Sequence, residues 1–187
     1  MPGWQQFYEE NQAEGIEVLS VAMDVQGGDK ARPYVEKANA TFTTVVDEEN
    51  LLGQLYGFKA IPNGFLIDEQ GIVRYKKLGG FDIRRAETSK IVQEWASSSG
   101  QFEAPEVSDA GLLSPDHSQA NAHFRKGWEL YRQGNVKDAL VEWRKGVELE
   151  PDNWIIRKQI WAVENPDRFY APSVDYDWQK EQIARGL

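Results

Sequence analysis

The sequence predicts an α/β layer followed by a separate all-α unit, and three observations predict it. Residues 1–97 alternate helical patterns with β-branched apolar runs, whereas from Ala120 onward the apolar spacing is helical. Residues 98–119 hold Ser, Gly, Pro and four acids, with no Lys or Arg and no period, which is the composition of a linker. Five of the seven Trp residues lie beyond that linker, so the second unit has the aromatic volume for a core of its own.

Taken in order, Pro2 to Asn11 reads as a helix, because proline suits the first turn, where its missing N–H would go unpaired anyway. Ile16 to Val25 is apolar and β-branched, a strand expected to be buried on both faces. Gly27 and Gly28 end it, and Asp29 to Ala38 is a helix with Asp29 as N-cap. Thr41 to Val46 is extended. Asp47 is expected to cap a helix running to about Tyr56, with Gly57 at its C-terminal stop. Ala60 to Gly64 is a turn. Phe65 to Ile67 and Ile72 to Lys77 flank Asp68-Glu69-Gln70-Gly71 as a β-hairpin. Arg84 to Ala96 is a helix with Ile91 and Trp95 on one face.

Composition excludes several functions. The net charge is −9, which argues against a nucleic-acid backbone or an anionic membrane surface as partner. No apolar run approaches the ~20 residues that span a bilayer. There is no cysteine, so the chain carries no disulfide, no thiolate metal site and no cysteine nucleophile. With only His117 and His123, a multi-histidine metal site is not expected, and no cofactor is predicted. Asp175 and Asp177 lack the oxygen density that hard cations need. Gly27-Gly28 and Gly79-Gly80 are turn glycines, since no phosphate-loop pattern surrounds them. Asp47-Glu48-Glu49 suits a helix N-terminus better than an acid–base pair. Arg84-Arg85 gains nothing from its helix dipole, and His123 sits at a helix-packing position.

The run Pro62-x-x-Phe65-x-Ile67-Asp68-x-x-Gly71 resembles the proline loop and hairpin of thioredoxin-like proteins of the TlpA/ResA and redoxin (AhpC/TSA) type. Ala22-Met23-Asp24, Phe42 to Asp47 and Leu55-Tyr56-Gly57-Phe58 agree in order, so the resemblance covers about residues 1–96. It implies a mixed sheet with flanking helices, a cis bond before Pro62, and a substrate-facing loop at Ile61 and Pro62. It also implies thiol–disulfide or peroxide-linked chemistry, in a family often extracytoplasmic in bacteria; the chain itself does not reveal its compartment. The departure is that the family's central strand and Cys-x-x-Cys would fall before Met1. The thioredoxin-like part is therefore expected to be incomplete at its N-terminus and inactive in dithiol exchange, which requires a thiolate. The strand at residues 16–25 is then expected to be paired on its open flank, by the Phe65 strand shifted across the gap, by another segment, or by a second chain in a homodimer.

Residues 120–153 fit one tetratricopeptide (TPR) repeat of about 34 residues, carried by Gly127, Leu130, Gly134, Ala139, Trp143, Gly146 and Pro151. Trp154 to Val163 resembles a capping helix, completing a helical unit at 120–166, and Asn165-Pro166 stops it. Residues 167–187 form an aromatic tail expected to strap over the hairpin. Two functions follow. One is the scaffold part of a TlpA/ResA-like oxidoreductase with a TPR module, meeting a polypeptide or a redox partner protein. The alternative is a non-catalytic protein that binds polypeptides through both modules. The coding sequence upstream of Met1 discriminates them: a Cys-x-x-Cys there supports the first.

Overall fold

The computed structural model describes residues 1–98, 102, 114–170 and 174–186. Its N-terminal part is mixed α/β: α1 (Pro2–Asn11), β1 (Leu19–Ala22), α2 (Gly28–Lys37), β2 (Thr43–Val46), α3 (Leu51–Tyr56), β3 (Gly64–Ile67), β4 (Val73–Lys77) and α4 (Ala86–Ser97). The C-terminal part is helical: α5 (Pro115–Arg132), α6 (Val136–Leu149), α7 (Trp154–Glu164), α8 (Pro166–Phe169) and α9 (Tyr176–Ala184).

Helix ends follow their local chemistry, with two corrections. Helix α2 begins at Gly28, and its N-cap is Gly27 at φ 85°, so Asp29 stands in the first turn and is not the cap. Asp47 lies four residues before α3, yet its carboxylate accepts hydrogen bonds from the backbone N–H of Leu51 at 2.9 Å and Leu52 at 2.8 Å. The capping chemistry is as read, but the helix starts later, after Asn50 at φ 56°. Gly57, at φ 72°, closes α3 in the left-handed conformation that favours glycine.

The strands differ more from expectation. Strand β1 covers only Leu19–Ala22, and none of its residues is fully buried; Leu19 is 64% exposed. The expectation of a strand buried on both faces is therefore wrong. β1 pairs in parallel with β2, whereas β3 pairs antiparallel with β4 through a bulge between Leu66 and Ile67. These are two separate two-stranded sheets. The Phe65 strand has not moved across to β1, so closure of the gap within the chain by that route is overturned. The apolar side chains of residues 16–25 are used differently. Ile16 and Val18 pack beside a cluster of Phe7, Leu66, Tyr75, Phe81, Ile91 and Val92, and Val25 joins the helical core. Burial at the two ends of the run shortens the strand between them.

In the helical part, α5 and α6 pack as a hairpin around Trp143, which is fully buried and stacked on Phe124 at 5.9 Å. Gly127 permits this approach, since a Cβ there would lie 2.3 Å from the Trp143 indole nitrogen. Helix α5 starts at Pro115, inside the stretch read as linker. Ser114 accepts a bond from the His117 N–H as N-cap, and Pro115 and Asp116 suit a first turn. The remainder of that linker, residues 99–101 and 103–113, lies outside the described residues. In the tail, the part at 171–173 and Leu187 lies outside them too. The rest forms α8 and α9, with Trp178 packed edge-on against Trp161 of α7 at 5.7 Å. No helix among the described residues is long and apolar enough to cross a membrane.

Candidate functional site

The loop from Gly57 to Gly64 joins α3 to β3, and its geometry is fixed from both sides. The Ile61–Pro62 peptide is cis. On the sheet side, the Pro62 carbonyl accepts from Phe81 N–H at 3.1 Å, and the Asn63 amide oxygen accepts from Gly79 N–H at 2.7 Å. Asn63 Nδ2 donates back to the Ala60 carbonyl at 2.8 Å. Gly64 is obligatory by space, since a Cβ would fall 1.9 Å from the Phe81 ring. At the tip, Ile61 is 52% exposed and Pro62 is exposed, with the apolar surface of Leu51 and Leu55 on α3 also open. Tyr56 lies against Phe65 at 4.4 Å.

The other side of the loop is held by the helical unit. The Lys59 carbonyl accepts from Ile155 N–H at 3.1 Å, and Lys59 Nζ reaches Asp152 at 2.7 Å and Glu150 at 3.3 Å. Those two bonds raise the Lys59 pKa, Asp152 acting most. Behind Lys59 lies a buried polar network. Glu150 accepts from Asn153 Nδ2 at 2.8 Å and faces His117 Nδ1 at 2.9 Å. His117 Nε2 lies 2.9 Å from Asn121 Nδ2 and 3.2 Å from the Gly53 carbonyl. Asn121 Oδ1 then accepts from Asn50 Nδ2 at 2.9 Å. Sequence reading placed His117 in a linker and missed the network. The only signal was the clustering of Glu150, Asp152 and Asn153 around Pro151, between two helices.

A second polar group closes the C-terminal end of β1. The Tyr170 hydroxyl donates to Asp24 at 2.7 Å, and burial raises the pKa of both. Gln159 of α7 accepts from Val25 N–H and donates to the Met23 carbonyl, both at 3.0 Å. The adjoining surface crevice, with no room for a ligand, is lined by Asp24, Asp47, Glu48, Asn50 and Gln159 among others. Among the described residues no group of three His, Cys, Asp or Glu is placed to hold a metal ion.

His123 is a packing-boundary residue. Its Nδ1 meets Glu142 at 2.8 Å, and Glu142 also accepts from Lys145 at 2.8 Å and Lys126 at 3.1 Å. The Lys145, His123 and Lys126 bonds hold the Glu142 pKa at about 2, down from 4.5. A depressed carboxylate contributes stability above its unfolded pKa and loses it as pH falls through its folded pKa. Glu142→Gln is thus expected to lower stability by about 1 kcal/mol above pH ~5 and to converge with the parent near pH ~2. Urea titrations across that range check this; a constant offset at every pH refutes it.

The cis-proline loop falls inside the segment that comparison with known families identifies. Residues 1–76 match the model of the AhpC/TSA family. The matched segment runs from α1 into β4, and the helical unit lies beyond it. The similarity to that family is confined to the N-terminal part. No curated protein and no solved structure matches the chain.

Proposed function

We propose that this chain is the polypeptide-binding scaffold of a TlpA/ResA-like thiol–disulfide or peroxide-linked oxidoreductase, silent in redox chemistry by itself. The observation that carries the reading is the Ile61–Pro62 loop, exposed at its tip and anchored on both flanks, in a chain without cysteine. A rigid backbone corner with an apolar tip can dock an extended polypeptide at little ordering cost. The α5–α6 hairpin is the TPR-like half, and the α6–α7 turn that follows it stiffens, through Lys59, the loop that meets the partner. The partner is a polypeptide or a redox partner protein.

Two measurements test this. Insulin-disulfide and hydroperoxide reduction are expected to stay at the dithiothreitol blank; turnover above it overturns redox silence. Photocrosslinking from a benzoylphenylalanine at position 61 to a reduced, carboxymethylated unfolded protein is expected to succeed. Ile61→Asp is expected to weaken binding of that probe about tenfold, because a carboxylate must be desolvated in an apolar contact. Unchanged binding overturns the docking role.

A further inference from the structure

Helix α7 carries an amine that no anion holds. Trp154 stands one turn before Lys158 and Trp161 one turn after it, so the three share a face. The two indoles approach to 6.5 Å, and Trp161 meets Trp178 of α9 at 5.7 Å. The neighbouring cation has its place: the Arg157 guanidinium lies over Trp154 at 5.4 Å and donates to the Pro151 carbonyl at 3.0 Å. Lys158 is half-buried, yet among the described residues it meets no carboxylate, no hydrogen-bond acceptor and no ring face. Its Nζ still reaches solvent, unlike the partnerless Nε of Arg157 beside it.

Two other lysines, Lys37 and Lys137, also lack a partner among the described residues, but both are exposed. Lys59, Lys77, Lys90, Lys126, Lys145 and Lys180 are in ion pairs, and Lys30 lies over the Tyr170 ring. Lys158 is thus set apart by being unpaired and half-buried at once. An ammonium has no lone pair to attack with, and a lysine becomes a nucleophile where apolar surroundings disfavour its charge and no anion restores it. Desolvation lowers the Lys158 pKa, and no charged group acts against it.

We propose that Lys158 is an acylation site, which takes the acyl group of an activated donor such as an acyl phosphate. The neutral amine attacks the acyl carbon; a C–N bond forms, the acyl–oxygen bond breaks, phosphate leaves with its electron pair, and the surplus proton on nitrogen passes to water. The product amide is uncharged. It relieves the cost of keeping an ammonium beside the indoles, so acylation stabilises the folded chain.

The test treats the full chain with acetyl phosphate and follows each lysine by peptide-mapped mass spectrometry, with Lys37 and Lys137 as exposed, unpaired references. At neutral pH, Lys158 is expected to be acetylated at least about threefold faster than either reference. That advantage should shrink as the pH is raised toward ~11, where lysines at large are already amines. Equal or slower labelling at neutral pH overturns the site. An advantage that stays constant with pH assigns the rate to accessibility and overturns the proposal as well. Acetyl-lysine installed at position 158 is expected to raise the urea midpoint of unfolding, and at position 137 to leave it unchanged. A midpoint that does not rise for position 158 overturns the stabilising role.

Discussion

Glu150→Ala is expected to destabilise the chain by about 2–6 kcal/mol, because two buried donors lose their acceptor at about 1–3 kcal/mol each. The carboxylate is 4% exposed and is shared by His117, Asn153 and Lys59. Truncation leaves the imidazole and the Asn153 amide facing a void with no acceptor, and water cannot compensate donors held by packed helices. A loss of that size is a large part of a typical stability of ~5–15 kcal/mol. Urea unfolding followed by tryptophan fluorescence measures it. Glu150→Gln, which keeps one acceptor, should cost less, and a His117→Ala/Glu150→Ala cycle should show the two losses to be non-additive. The effect should also reach the candidate site. Lys59 stands two residues before Ile61, so amides of the proline loop should exchange faster in Glu150→Ala than in the parent. A stability loss under ~1 kcal/mol would refute the assignment of this network as the clamp between the two units.

The contrast between what the sequence revealed and what it concealed follows from the range of the interactions. The α1 start at Pro2, the Gly57 stop and the hairpin around Asp68–Gly71 are each decided by a few neighbouring residues, and the close approach at Gly127 by the repeat spacing that sets it against Trp143. They were legible for that reason. The Asp47 carboxylate does accept from the first N–H groups of α3, but Asn50 holds the N-cap position and the helix begins later. Strand β1 was misjudged because an apolar run reports burial but not its partner. Ile16, Val18 and Val25 are claimed by helices and hairpin residues far away in sequence, leaving only Leu19–Ala22 to pair. The Ile61–Pro62 loop could be named from its local pattern, but its second anchor could not. The Lys59 contacts to Asp152 and Ile155 join residues more than ninety positions apart, and no local period encodes them. The same holds for His117, whose partners Gly53 and Glu150 lie on opposite sides of it in the chain.

Trp143→Ala should be the most damaging apolar truncation in the helical unit, at about 3–5 kcal/mol. The indole is fully buried, stacks on Phe124 and leans on Tyr131 at 5.8 Å, and its N–H donates to the Phe124 carbonyl at 3.0 Å. Its removal opens a cavity and frees that carbonyl from a partner. The surroundings have little freedom to collapse into the space, because the α5 and α6 backbones already approach as closely as Gly127 and Ala139 permit. Trp143→Phe separates the two terms: it keeps most of the volume and loses the donor, so about 1–3 kcal/mol is expected. Gly127→Ala attacks the same contact from the other side. Its new methyl would meet the indole nitrogen at 2.3 Å, so the helices must part, at about 1–3 kcal/mol. Combined with Trp143→Ala, that methyl instead occupies the vacated space. The double variant should therefore be more stable than the sum of the two single losses predicts. Thermal unfolding of the four proteins decides it: strict additivity would mean that Gly127 is not there to admit Trp143.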